Sequence, residues 1–376
     1  MWLPIVAAGL LGACASDPPR VPPSELAPFA RTATLERSWR LNGQEAGAGR
    51  FAPHLENEAV YVAGAQGTVM RLARDRGEAL WTSEPAGSLA SGVGGDEAAV
   101  YVAGRDGEVI ALDAATGEER WRSRASSEVL APVSTGFGAL VVRSADGRLA
   151  AVDPATGEER WSNSWTPPAL TVNGYSRPLL LDGGLLVGLD DGRLLAMDST
   201  NGRTLWETEL GRPTGRSEVE RLVDIDADVL VDGEGIYAVS FQGRVARLEP
   251  ARGQIVWSVP MSSTSGLALD EDSLYVIDDE SVVHALDKRD GRTRWSTDVF
   301  RGRKLSAPLR IDGMLIAGDL DGYVHVLDTA TGEPIGRRQV ADSAIRARPA
   351  GDAQGIVVQS TGGRIVALRL KRDAAR

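Results

Sequence analysis

The chain has 376 residues, with 41 Lys and Arg against 52 Asp and Glu, and its net charge of −11 argues against a general surface for nucleic acid or anionic membrane. Its one cysteine, Cys14, excludes a disulfide within the monomer. The three histidines, His54, His284 and His325, lie far apart with no metal-ligand spacing, and no G-x-S-x-G elbow accompanies them, so neither a metal centre nor a nucleophilic triad has local support.

The first element in chain order is an address. MWLPIVAAGLLGACAS carries an apolar run too short to span a bilayer and ends in L-G-A-C, although no Lys or Arg precedes the run. That tetrapeptide resembles a bacterial lipobox, which predicts a signal peptide over residues 1–13 and a lipidated Cys14. Ala15, rather than Asp, follows the cysteine and points to outer-membrane delivery. Residues 14–30, with Pro18, Pro19, Pro22, Pro23 and Pro28, read as the lipidated cysteine and an extended tether. The acyl chains would supply the only membrane attachment.

The remainder, residues 31–376, is a repeat. LDAATGEERW ends at Trp121 and returns as VDPATGEERW ending at Trp161, with related cassettes ending at Trp81, Trp206, Trp257 and Trp295 and a variant, LDTATGEPIG, ending at Gly336. A turn residue stands four positions before each of these, and another ten positions earlier, at Gly67, Gly107, Gly147, Gly192, Gly243, Ser281 and Gly322. VYVAGRDGEVIALDAATGEERW alternates apolar and polar residues around a D-G pair, the pattern of a β-hairpin. In the second turn Asp113 can hold backbone N–H groups and Gly117 can take positive φ. Asp153, Asp198, Asp287 and Asp328 recur at the same place and read as turn-formers rather than paired catalytic acids. With the apolar run upstream of each hairpin, often opened by Pro, each unit contains four strands.

The two chain ends complete one another. LERSWR around Trp39 is an outer strand with no three strands before it, and the last unit stops after GGRIVALRL without its outer strand. The sequence therefore predicts an all-β, eight-bladed β-propeller of four-stranded blades, closed by the N-terminal strand joining the C-terminal blade. A parallel β-helix is the alternative, although its repeats are usually shorter and need no complementary ends. The basic runs at Arg301 to Lys304 and at the C-terminus read as solvated charge.

The repeat is violated in one region. Outer-strand position and next hairpin turn are separated by 31 residues from Trp161 to Gly192 and by 37 from Trp206 to Gly243, against 24 to 28 elsewhere. The inserted stretches, Ser162 to Pro178 and Glu207 to Val229, join the outer strand of one blade to the inner strand of the next, so they should lie side by side on one face. Trp165, Leu170, Val172 and Tyr175 in the first suit an interface anchor, and Arg221, Asp224 and Asp226 in the second supply charge. The bland alternative is that the loops only cover one another.

The cassette A-x-D-x-x-T-G-x-x-x-W resembles the repeat of pyrroloquinoline-quinone dehydrogenases, which typically hold the quinone against a disulfide of adjacent cysteines with a calcium or lanthanide ion. This chain has a lone cysteine and no calcium-loop pattern, so that resemblance supports the fold more than the chemistry. Lipobox, eight-bladed body and enlarged loops together resemble the BamB family, lipoproteins of the outer-membrane β-barrel assembly (BAM) machinery, over essentially the whole chain. The family's L-x-L-R-G-x-S-x-P segment matches LTVNGYSRP, placing Leu170 and Val172 at its apolar contact positions and Asn173 where its Arg stands. Its D-x-D after R-L matches RLVDID, placing Asp224 and Asp226 at its acidic positions.

The resemblance implies a non-catalytic scaffold without a cofactor, on the periplasmic face of a Gram-negative outer membrane. It would bind the periplasmic domains of BamA within the BAM complex, and unfolded outer-membrane proteins as further clients. A periplasmic lipoprotein propeller with a different partner is the alternative reading, and a quinone-dependent dehydrogenase the third.

Overall fold

The structure, a computed structural model, describes residues 22–47, 49, 51–172 and 176–372. The expected signal segment 1–13, Cys14, Asn173 and Tyr175 lie outside the described residues.

Blade geometry follows from the cassette. In the second blade, Ala99–Ala103 is buried throughout and pairs antiparallel with Glu108–Asp113 across the Asp106-Gly107 turn. Gly107 sits at φ 85°, and a Cβ there would lie 2.9 Å from the Ser127 carbonyl oxygen, so only glycine fits. The next turn has the Asx form: Asp113 accepts the N–H groups of Ala115 and Thr116 at 2.9 and 3.0 Å. Chain polarity then reverses into Glu119–Arg124, an edge strand with a bulge opposite Ala111 and Leu112. Asp153, Asp198, Asp287 and Asp328 repeat this turn bond.

Eight such four-stranded antiparallel sheets form, at 54–83, 94–124, 134–164, 179–209, 230–260, 266–297, 309–339 and, for the last, 350–372 with 33–42. No helix occurs among the described residues. Core packing runs between blades: Tyr61 and Val69 of the first meet Val100 and Ile110 of the second in one cluster. This is the antiparallel ring of a propeller, and it replaces the β-helix alternative. Closure is as the chain ends predict, with Ala33 opposite Arg372 through to Asn42 opposite Arg364 and the register slipping by one residue between Arg37 and Trp39.

The repeated tryptophan is a clasp between blades. The Trp81 indole N–H donates to the Ala114 carbonyl of the next blade at 3.0 Å, and its ring lies so close to Gly117 that a Cβ there would be 2.7 Å away. Trp39, Trp121, Trp161, Trp206, Trp257 and Trp295 make the same bond to Arg74, Pro154, Ser199, Pro250, Lys288 and Thr329, at 2.8 to 2.9 Å. Seven junctions are clasped in this way among the described residues. At the eighth the last blade has no such turn, because its outer strand comes from the other end of the chain. Gly336 replaces tryptophan there and faces Ala33 and Leu35 instead.

Of the basic runs, Arg303 departs from the solvated charge expected, whereas Lys304, Lys371 and Arg372 are exposed as expected. Arg303 is only 4 % exposed, because Asp319 and Asp321 accept its guanidinium at 2.8 and 2.7 Å. Arg301 pairs with Glu280, Lys371 with Glu36 at 2.8 Å and Arg372 with Asp328, while Lys304 is exposed. His325 is a buried imidazole 2.8 Å from Asp319.

Candidate partner-binding face

The two enlarged loops leave the same end of their sheets and touch. In the first, the Trp165 N–H donates to the Gly147 carbonyl at 3.0 Å and its ring packs half-buried against the core between the third and fourth blades. Trp165 therefore anchors its own loop more than it offers itself to a partner. Past Pro167 and Pro168 the chain lifts away, leaving Leu170 47 % exposed and Val172 half-buried. A shallow cleft opens beneath, lined by Trp165, Pro167, Pro168, Leu149, Val187 and Leu189 together with Arg143 and Asp190.

In the second loop, a turn at 217–220 is closed reciprocally. Glu220 accepts the Arg216 and Ser217 N–H groups at 2.7 and 3.3 Å, and the Ser217 hydroxyl accepts the Glu220 N–H at 3.2 Å. Val219 on this turn is 63 % exposed, and Arg221 is exposed with its guanidinium 3.8 Å from Glu218. The chain then dives inward. Val223 and Ile225 fill the space over Gly192, Gly211 and Gly188, where no side chain stands in the way. The Asp224 carbonyl accepts the Phe241 N–H at 2.7 Å and pins the segment across the fifth blade.

Alternation sends Asp224 and Asp226 away from that apolar side, but not to solvent: each is 1 % exposed. Asp224 accepts the Val172 N–H at 3.3 Å, and Asp228 accepts the Arg177 N–H at 2.9 Å, so acids of the second loop hold the first at two points in its second half. This differs from the sequence expectation of an acidic surface. The Val172 N–H of the first loop caps Asp224, both carboxylates are buried, and what faces outward is Leu170 and Val219.

The cluster around Asp224 is crowded with charge. Arg143 and Asp190, both nearly fully buried, form an ion pair at its base. Burial pushes the Asp190 carboxyl up despite Arg143. Burial, reinforced by the carboxylates of Asp226 and Asp190, holds Asp224 well above the usual carboxylate range against the opposing pull of Arg143. A neutral Asp224 can sit under the loop without the desolvation cost that an ionised one would incur.

Arg143 and Asp190 escaped the sequence reading, although a signal existed. At the register position of Arg143 the other blades carry Ala63, Ala103, Gly188, Val239, Ile277, Gly318 and Gln359, all uncharged. A lone cation on that inner row calls for a buried acid nearby.

A model of the family described as outer membrane protein assembly factor BamB matches residues 65–297 and 243–374. The chain belongs to the BamB family. The BamB of Pseudomonas aeruginosa is 40% identical over 369 residues, 97% of each chain, and that of Marinobacter adhaerens is 43% identical over 374 residues, 98% of this chain and 96% of the other. Among solved structures, BamB from Moraxella catarrhalis superposes with a TM-score of 0.83 at 25% identity, over 89% of this chain and 100% of that one. The quinohemoprotein alcohol dehydrogenase of Comamonas testosteroni, with a TM-score of 0.74 at 14% identity over 92% of this chain and 77% of its own, shares the fold alone. The two BamB relatives match nearly the full length of the chain at 40 and 43% identity, whereas the quinoprotein likeness, at 14% identity, is one of fold.

Proposed function

We propose that this protein is a non-catalytic scaffold of outer-membrane β-barrel assembly, anchored through lipidated Cys14 at the periplasmic face of the outer membrane. Its two enlarged loops bind the periplasmic domains of BamA. One observation carries the assignment of the face: Asp224 and Asp228 tie the loops into a single surface that leaves Leu170 and Val219 exposed on a rigid ring. Exposed aliphatic side chains on a preorganised frame supply binding energy at small entropic cost. In this reading Leu170 and Val172 meet BamA, while Asp224 and Asp226 shape the loop that presents them. Asn173 and Tyr175 belong to the same loop and join the proposed contact.

The test is calorimetric titration of the chain from residue 22 onward with the periplasmic domains of BamA from the same organism. Leu170→Ala is expected to weaken saturable binding while leaving the melting temperature unchanged. Wild-type protein that gives no heat at several salt concentrations overturns the partner, and undiminished binding by the Leu170 variant overturns the face.

A further inference from the structure

The tether does not hang free of the ring along its whole length. Ser24 is held in the loop at 298–304, between the sixth and seventh blades. Its N–H donates to the Arg301 carbonyl at 2.9 Å, its hydroxyl to the Val299 carbonyl at 2.7 Å, and its own carbonyl accepts Arg303 at 3.0 Å. Arg303 is itself fixed by buried Asp319, so the site that receives Ser24 is built into the core of the seventh blade. Farther along, the Arg337 guanidinium lies 5.2 Å from the centre of the Phe29 ring. The Thr32 N–H then reaches the Ile335 carbonyl at 3.0 Å, one residue before the closing strand.

The docked segment decides which part of the ring the lipid anchor reaches. Ser24 stands ten residues after Cys14, so the anchor is at most about 35 Å of extended chain from the 298–304 loop. That loop offers an exposed apolar side chain, Val299 at 42 %, beside an exposed cation, Lys304, and the partly exposed Arg301. Arg301 is paired with the exposed acids Glu280 and Asp298, which leaves Lys304 as the cation beside the apolar tip, and an apolar tip with an adjacent lysine suits the headgroup layer of a phospholipid bilayer. Tethering keeps the bilayer at high effective concentration, so a weak contact is enough to orient the ring.

We propose that the docked tether turns the 298–304 loop toward the bilayer, making Val299 and Lys304 the lipid-facing contact of the propeller. The occupant is the lipid surface because the chain outside the described residues, which carries the proposed acylation site, departs from this loop. The enlarged loops lie on the same face two and three junctions back around the ring, so a partner held there would stand beside the membrane and not beyond the propeller. This inference rests on the reading of Cys14 as the anchor.

The experiment uses full-length lipidated protein in phosphatidylethanolamine/phosphatidylglycerol vesicles with headgroup spin-labelled lipid. An environment-sensitive fluorophore is placed at Val299→Cys, at Phe137→Cys in a turn of the opposite face, or at Val256→Cys on the outer edge. Quenching at position 299 is expected to be at least about threefold stronger than at 137 or 256. Ser24→Pro, which lacks both donors, is expected to abolish that difference while leaving circular dichroism and melting unchanged. Equal quenching at all three sites, or a difference that survives Ser24→Pro, overturns the proposal. Vesicle flotation separates the two readings: wild-type protein that fails to float overturns the anchor and this inference with it, whereas protein that floats without site preference overturns the orientation alone.

Discussion

The tryptophan clasp makes a quantitative demand on the glycine it covers. Gly291 has φ 74°, and a Cβ added there would lie 2.6 Å from Cε3 of Trp257, a side chain 8 % exposed whose indole N–H is bonded to Lys288 at 2.8 Å. Gly291→Ala therefore combines two costs: left-handed backbone strain of about 1–2 kcal/mol and overpacking of about 1–3 kcal/mol as the ring is displaced. Gly183→Ala is the control, since Gly183 has φ 69° with nothing within 4 Å of the new Cβ and should show the backbone strain alone. Urea unfolding followed by far-ultraviolet circular dichroism is expected to place Gly291→Ala about 1–3 kcal/mol below Gly183→Ala with equal m-values. If the two variants are equally stable, the close approach of ring to glycine does not hold the blades together and the account of the repeat fails.

Three further outcomes follow from the loop face. Leu170→Ala is expected to weaken binding of the BamA periplasmic domains about tenfold or more, by calorimetry, because a half-exposed aliphatic tip on a fixed frame acts as an anchor. Arg143→Ala leaves the buried Asp190 carboxylate without its ion pair and should cost about 3–5 kcal/mol in urea unfolding, with Arg143→Ala/Asp190→Ala recovering part of that loss. Asp224 supplies a pH dependence. Its folded pKa is raised, so the folded state holds a proton that the unfolded state releases above the usual carboxylate range, and this contribution fades as pH rises toward the folded pKa. Wild-type melting temperature should accordingly drop more between pH 6 and pH 9 than that of Asp224→Asn, which cannot ionise; parallel curves would refute a neutral Asp224.

The blades were legible because each cassette states its own local physics. Asp and Gly fix the outer turn, a second glycine fixes the hairpin, and alternation fixes the faces. Ring closure was legible from the two incomplete ends. The enlarged, touching loops were legible as a break in spacing, 31 and 37 residues where 24 to 28 is the rule. What the spacing could not convey is which way the side chains on those loops turn. Asp224 and Asp226 read as surface acids until Val223 and Ile225 are seen to occupy the glycine-lined space opposite, which turns both carboxylates into the interior, Asp224 against the first loop. Arg303 misled for a related reason: its charge is neutralised by Asp319 and Asp321, which come from a turn 16 to 18 residues away, and no local pattern announces the pairing.

Gly336 shows how one exception ties the fold to the proposed anchor. A tryptophan at that position would have no turn to clasp, since the last blade takes its outer strand from the N-terminus, and the junction must be held by other means. It is held by the N-terminal segment itself. Thr32 bonds Ile335, the Leu35 carbonyl accepts Arg338 at 2.7 Å, and Ala33 and Leu35 pack into the cluster shared by the seventh and eighth blades. The one junction without a tryptophan is thus the one through which any pull from a lipid anchor would enter the ring. Ser24, bonded to Arg301, Val299 and Arg303 ahead of that junction, takes such a load on the sixth and seventh blades before it reaches the closing strand. Removing those bonds should therefore loosen the orientation of the propeller before it loosens the ring, since the nine paired positions from Ala33 to Asn42 would still hold the ring closed.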